Sequence, residues 1–229
     1  MKILLAAINA KYIHSNLAVY SLQAYARENA PELSEEIYIK EYTINQLTDQ
    51  ILMDLYKEQP DVICFSCYIW NITQVKELLV EIPKILPKTM IWLGGPEVTY
   101  HPVEMLEAYP MVRGIMKGEG EETFVQLLHA WNGEVAYYDL DGITYWEEAA
   151  GEVWNNPDQK TMDMNKLPFV YQDMDLFRHK IVYYESSRGC PFSCSYCLSS
   201  VEKCLRFRDA RRVVKELQFF IDQKVPQVK

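Results

Sequence analysis

At 229 residues, 49% hydrophobic and 24% charged, the chain has material for one large domain or one and a half ordinary ones. A formal net charge of -9 lacks the basic footprint that non-specific nucleic-acid binding needs, so no nucleic-acid partner is expected. No apolar run approaches the roughly 18 residues of a membrane span, and six cysteines without a secretion signal imply reduced thiols and a cytoplasmic location.

In chain order, residues 2–8 form a near-continuous apolar run, the pattern of a strand buried on both faces. Residues 16–29 place Leu17, Tyr20, Leu22, Ala24 and Tyr25 on a mixed helical face that Pro31 closes. Residues 36–43 mix Ile37 and Ile39 with Lys40 and Glu41, which predicts an edge strand wet on one side. A helix over 44–57, a buried strand over 62–69 and a helix over 72–86 follow. A strand over 90–93 then stops at Gly94-Gly95-Pro96-Glu97. A short helix over 103–108, a strand over 114–117 and a helix over 121–131 complete five β/α alternations. Parallel neighbours need crossover connections, so the expected fold of residues 1–133 is α/β, a flavodoxin/Rossmann-like five-stranded parallel sheet in order 2-1-3-4-5.

Ligands of such sheets sit beyond the carboxyl ends of the strands, at the switch between strands 1 and 3. The loops there are residues 9–16, 66–71, 94–100 and 118–121. None is a G-x-G-x-x-G fingerprint, and Gly118-Glu119-Gly120-Glu121, running on into Glu122, would repel phosphate; a dinucleotide is not supported. Cys64 and Cys67 make a C-x2-C pair, but inside a buried strand they point to opposite faces and are read as small core residues. His101 and His129 stand isolated.

Residues 142–146 and 152–154 flank a turn at Gly151 and predict a β-hairpin. It opens a connecting segment, residues 134–180, whose Phe169, Tyr171 and Phe177 suggest that it packs down. The β-branched and aromatic run Ile181-Val182-Tyr183-Tyr184 then predicts a strand entering Gly189-Cys190-Pro191-Phe192-Ser193-Cys194-Ser195-Tyr196-Cys197, and an arginine-rich helix over 209–223 leaves it. Three thiolates spaced C-x3-C-x2-C on one loop are soft ligands suited to iron–sulfur or zinc. A closed site would take a fourth protein ligand; Cys204 lies seven residues on and no histidine follows Cys197.

Cys190, Cys194 and Cys197, with Tyr196 before the third, resemble the signature of the radical S-adenosylmethionine (SAM) enzymes. The resemblance implies that the three thiolates hold a [4Fe–4S] cluster whose open iron binds SAM, that Tyr196 packs beside the SAM adenine, and that residues 181–229 begin a β/α barrel. Upstream of that motif, residues 1–133 resemble the cobalamin (B12)-binding domain of the cobalamin-dependent radical SAM subfamily, through Gly94-Gly95-Pro96-Glu97 and Gly118-Glu119-Gly120-Glu121. The cobalamin contacts this implies are Asn9, His14, Ser66, Gly94, Gly95, Pro96, Glu97, Gly118, Gly120 and Glu121. The D-x-H-x-x-G motif is absent and His14 is out of frame for it, so the nucleotide tail is expected to be displaced without histidine taking its place on cobalt.

A barrel takes about 200 residues or more, and some 49 follow Lys180. The chain therefore reads as the N-terminal part of a longer enzyme, inactive alone, with the partner strand of 181–186 missing and a dimer through the barrel edge among the expectations. The layout resembles the anaerobic magnesium-protoporphyrin IX monomethyl ester cyclase group. It implies oxidative cyclisation or methyl transfer at an unreactive C–H bond of a small-molecule substrate. The alternatives are a corrinoid-binding or sensor module, and a methylthiotransferase; the latter group carries three further cysteines in its first domain, where this chain has Cys64 and Cys67.

Overall fold

The computed structural model describes residues 1–201 and 203–229, which divide into two compact units, Met1–Thr161 and Met162–Lys229. In the first, β1 (Ile3–Asn9), β2 (Ile37–Thr43), β3 (Val62–Ser66), β4 (Met90–Gly94) and β5 (Val112–Met116) are parallel. The helices between them are α1 (Leu17–Asn29), α2 (Pro31–Ser34), α3 (Thr48–Glu58), α4 (Ile72–Ile85), α5 (Pro96–Thr99) and α6 (Pro102–Ala108); α7 (Glu121–Trp131) follows β5. All seven residues of β1 are buried, because β2 and β3 flank it and helices cover both of its faces. Leu4, Ala6 and Ile8 pack with Ile51, Leu55, Val75 and Leu78 of α3 and α4, whereas Ile3, Leu5 and Ala7 pack with Val19, Ala26, Phe124 and Leu127 of α1 and α7. Each valine, leucine, isoleucine or phenylalanine among them contributes roughly 1.5–3 kcal/mol by leaving water.

The sheet order is β2-β1-β3-β4-β5-β6-β7, so the expected 2-1-3-4-5 core is present and extended by two strands. The hairpin β6 (Ile143–Glu147) and β7 (Glu152–Asn155) does not join two halves, as the reading of residues 134–180 as a connector has it. It pairs antiparallel onto β5 and carries the first unit to Thr161. An antiparallel hairpin covers the β5 edge that would otherwise stand unpaired. Buried Lys117 secures it: its Nζ donates to Asn155 Oδ1 (2.9 Å) and the Asn156 carbonyl (2.7 Å) and pairs with Asp158 (2.8 Å). Gly114 lies across from Trp92, where an added Cβ would stand 2.5 Å from the indole, so the missing side chain makes room for the largest residue of the core.

Three boundaries move by two residues or more. The predicted strand 62–69 ends at Ser66, the predicted helix 44–57 begins at Thr48, and the predicted strand 114–117 begins at Val112. Cys64 therefore lies in β3 and Cys67 just after it, on opposite sides of the sheet and both buried.

In the second unit the predicted helix is α8 (Ala210–Asp222), capped by Asp209, whose side chain accepts from Arg211 N and Arg212 N. The strand expected over 181–186 does not form as a strand; the stretch keeps one isolated bridge, to a partner within the chain. Val182 pairs in parallel with Val228, its N–H donating to the Gln227 carbonyl (3.1 Å), and Tyr184 N donates to the Lys229 carbonyl (2.9 Å). Phe169, Tyr171, Phe177 and Phe220 form one cluster of edge-to-face and tilted rings, and the Tyr171 hydroxyl bonds the Tyr183 backbone, which packs the connecting segment down. No helix among the described residues is long and apolar enough to cross a membrane.

Candidate functional site

Ser66, Gly94 and Met116 end β3, β4 and β5 side by side, with Asn9 ending β1 beyond them. Gly95 follows with φ +103°, and the backbone of Cys67 lies against it; a Cβ there would sit 2.6 Å from the Cys67 oxygen. Only glycine allows β4 to turn this tightly against the end of β3. Pro96 then opens α5, Glu97 is exposed on it, and Gly118 is exposed at the end of β5.

Asn9, Ser66, Gly120 and Glu121 are turned inward. Asn9 is buried, and its Nδ2 donates to the His14 carbonyl (3.0 Å) and to Glu41 Oε1 (2.8 Å). Ser66 Oγ accepts from Asn16 Nδ2 (2.8 Å). Glu121 is buried and accepts from Ser21 Oγ (2.8 Å), while Gly120 backs onto Leu22, so this pair serves the packing of α7 on α1. His14 is half-buried in the loop over residues 10–16, which exposes Tyr12 and Ile13.

An aromatic platform escaped the sequence reading. Tyr68 and Trp70 stack with centroids 4.5 Å apart and planes 7° from parallel, in the loop after β3. Trp70 Nε1 donates to the Ile8 carbonyl (3.2 Å), and fully buried Asn71 ties the loop to the Ile8 and Ser66 carbonyls (3.0 and 2.9 Å). Trp70 and neighbouring Ile69 remain 45% and 77% exposed, apolar surface at the switch point that a soluble fold would otherwise bury. The signal lay in Tyr68-Ile69-Trp70, two aromatics in a loop, but running the strand on to residue 69 hid it.

In the second unit, Ser187–Arg188 (β8) pairs antiparallel with Arg206–Phe207 (β9) and closes the cysteine loop at its stem. Cys194 is exposed, Cys190 and Cys197 are half-buried, and Cys197 N donates to the Cys194 carbonyl (3.1 Å), which turns the loop between them. Tyr196 is 92% exposed. Among the described residues no three His, Cys, Asp or Glu side chains are gathered as a metal group, so the fit of these thiols to a cluster rests on their donor chemistry and their place on one closed loop.

Residues 3–128, more than half of the chain, match the B12 binding domain family. The chain belongs to that family. Among its relatives, the 2-(S-pantetheinyl)-carbapenam-3-carboxylate methyltransferase of Streptantibioticus cattleyicolor is 26% identical over 72% of this chain and 26% of its own length. The anaerobic magnesium-protoporphyrin IX monomethyl ester cyclase of Cereibacter sphaeroides is 25% identical over 81% of this chain and 33% of its own. This chain thus spans about a quarter to a third of the length of those relatives. The cobalamin-dependent SAM radical enzyme OxsB, solved with aqua-cobalamin and SAM bound, has the same fold: TM-score 0.74, 24% identity, 94% of this chain and 31% of that one.

Within this B12-binding domain, Cys64 and Cys67 are core atoms. Burial pushes the Cys67 thiol up to about 12, against a smaller opposing effect of the Gly94 backbone, and burial alone raises Cys64. Iodoacetamide on the folded protein is expected to label Cys190, Cys194, Cys197 and Cys204 at least about 100-fold faster than Cys64 or Cys67, since only a thiolate that reagent can reach reacts. Peptide mass spectrometry reads this directly; comparable rates for all six would remove Cys64 and Cys67 from the core.

Proposed function

We propose that the chain holds cobalamin over the carboxyl ends of β1, β3, β4 and β5, and that Cys190, Cys194 and Cys197 hold the [4Fe–4S] cluster of a radical SAM enzyme. The observation that carries the reading is the Tyr68–Trp70 pair beside the Gly95 turn, at the switch point of a sheet whose family is B12-binding. A corrin is wide, flat and largely apolar. It needs a surface where backbone can come close and where exposed aromatic and aliphatic groups gain by leaving water. Gly95 supplies the close approach, Trp70, Ile69, Tyr12 and Ile13 the apolar area, and Gly118 an open flank. His14, Gly94, Pro96 and Glu97 stand at the rim, whereas Asn9, Ser66, Gly120 and Glu121 support it from below.

In the second unit the three thiols would bind three irons, and the cluster when bound supplies the electron that cleaves SAM. Tyr196, exposed before Cys197, would cover the adenine. For the whole protein the activity would be methyl transfer or oxidative cyclisation of a small molecule, a reading supported by relatives that are a methyltransferase and a cyclase.

Titration with hydroxocobalamin under visible absorption is expected to saturate at one equivalent, and Trp70→Ala to weaken it about tenfold, the order of one lost aromatic contact. Anaerobic iron–sulfide reconstitution should raise a broad shoulder at about 400 nm, absent in Cys194→Ala. A chain that shows no saturation, or that takes up zinc in place of iron, overturns the corresponding half of the reading.

A further inference from the structure

We propose that Glu41 is the positioning residue for the ligand-facing loop over residues 10–16, a role on which its use in cobalamin binding rests together with the reading above. The loop leaves β1, exposes Tyr12 and Ile13, and must end where α1 begins. Asn16 is the N-cap of α1, and its side chain accepts from Val19 N (3.4 Å). The reciprocal half of a capping box is a carboxylate three residues into the helix that accepts from the backbone N–H of the cap. Here that position is Val19, which accepts nothing with its side chain. Glu41, on β2 and 25 residues away, supplies the acceptor: Oε1 takes the Asn16 N–H at 2.8 Å.

The same oxygen accepts from Asn9 Nδ2 at 2.8 Å, and Asn9 Nδ2 also donates to the His14 carbonyl at 3.0 Å. Oε2 accepts from the Tyr20 hydroxyl at 2.9 Å, one turn into α1. Both ends of the loop and the helix that follows therefore converge on one carboxylate. Charge-assisted bonds of this kind are about twice as strong as neutral ones. The interaction also reaches the switch point, since Asn16 Nδ2 continues to Ser66 Oγ at the end of β3 (2.8 Å). Removing the carboxylate leaves Asn9, which is buried, and the N-cap N–H short of an acceptor, and the loop can satisfy them only by moving.

Lys11 is exposed within the loop and offers a cleavage site whose use by trypsin reports local opening in the absence of any ligand. In Glu41→Ala the rate of cleavage after Lys11 is expected to rise about tenfold or more, and the hydroxocobalamin dissociation constant to rise by a similar factor. Glu41→Gln, which keeps an oxygen for Asn9 and Asn16, is expected within about threefold of the parent on both readouts. Ile82→Val, a core truncation near the end of α4 away from the loop, controls for general destabilisation and should move the melting temperature without selective cleavage at Lys11. Parent-like cleavage in Glu41→Ala, or equal acceleration by Ile82→Val, overturns the proposal. If the parent binds no hydroxocobalamin, the functional reading fails, while cleavage after Lys11 still decides the role of Glu41.

Discussion

Replacing Glu216 by alanine is expected to cost the second unit about 3–5 kcal/mol, the penalty for leaving a buried charge without its partner. Glu216 and Arg208 are 7% and 6% exposed, and Arg208 Nη1 donates to both carboxylate oxygens at 2.9 and 3.0 Å. Arg212 Nε adds a bond at 2.8 Å and the Tyr184 hydroxyl one at 2.6 Å. Burial, with the bond to Glu216 behind it, pushes the Tyr184 phenol well above its usual range, so it stays a donor at every pH the protein would meet. Arg208 N also donates to the Ser186 carbonyl at 2.9 Å, which fastens this network to the base of the cysteine loop. In Glu216→Ala, amide exchange across α8 and across the Val182–Val228 pairing should accelerate by about a hundredfold or more. Glu216→Gln, which keeps the volume, should fall between. Unchanged protection in the alanine variant would show that aromatic packing around Phe220 holds the unit without the ions.

Two adjacent glycines predict opposite outcomes. Gly95→Ala places a Cβ 2.6 Å from a backbone oxygen at φ +103°, so strain and overpacking together should cost about 2–5 kcal/mol. The contact partner is backbone and cannot swing aside. The end of β4 must therefore separate from the end of β3, breaking the bond from Cys67 N to the Gly94 carbonyl (2.7 Å). Hydroxocobalamin affinity should fall at least about tenfold with it. Gly94→Ala meets nothing nearer than Met116 at 3.6 Å and should stay within about 1 kcal/mol of the parent. Thermal unfolding and the absorption titration, run on both variants, check the contrast. Equal effects would mean that the turn is not the close-approach point.

Much of the first unit was legible because burial on both faces writes an unbroken apolar run. The strand Ile3–Asn9 needed nothing more, and the helix over 121–131 showed its apolar residues at helical spacing. The hairpin was legible as a hairpin, but its place on β5 was not: pairing partners are chosen by which edge stands open, and Lys117, which secures it, reads in sequence as one more charge. The end of β3 was misplaced for a related reason. Tyr68 and Ile69 have strand propensity, and only the Gly95 turn pressing on Cys67 stops the strand before them.

By itself the sequence determined the α/β class, the parallel order of the first five strands, and the three-cysteine loop ahead of a helix. These are local periodicities and spacings, which a chain carries before it folds. Only the tertiary structure decided that Asn9, Ser66 and Glu121 support the surface from within, that Tyr68 and Trp70 present it, and that Glu41 completes the cap of a helix 25 residues earlier. A hydrogen bond between distant residues leaves no period in the sequence, because it is set by where two elements come to rest and not by the residues between them.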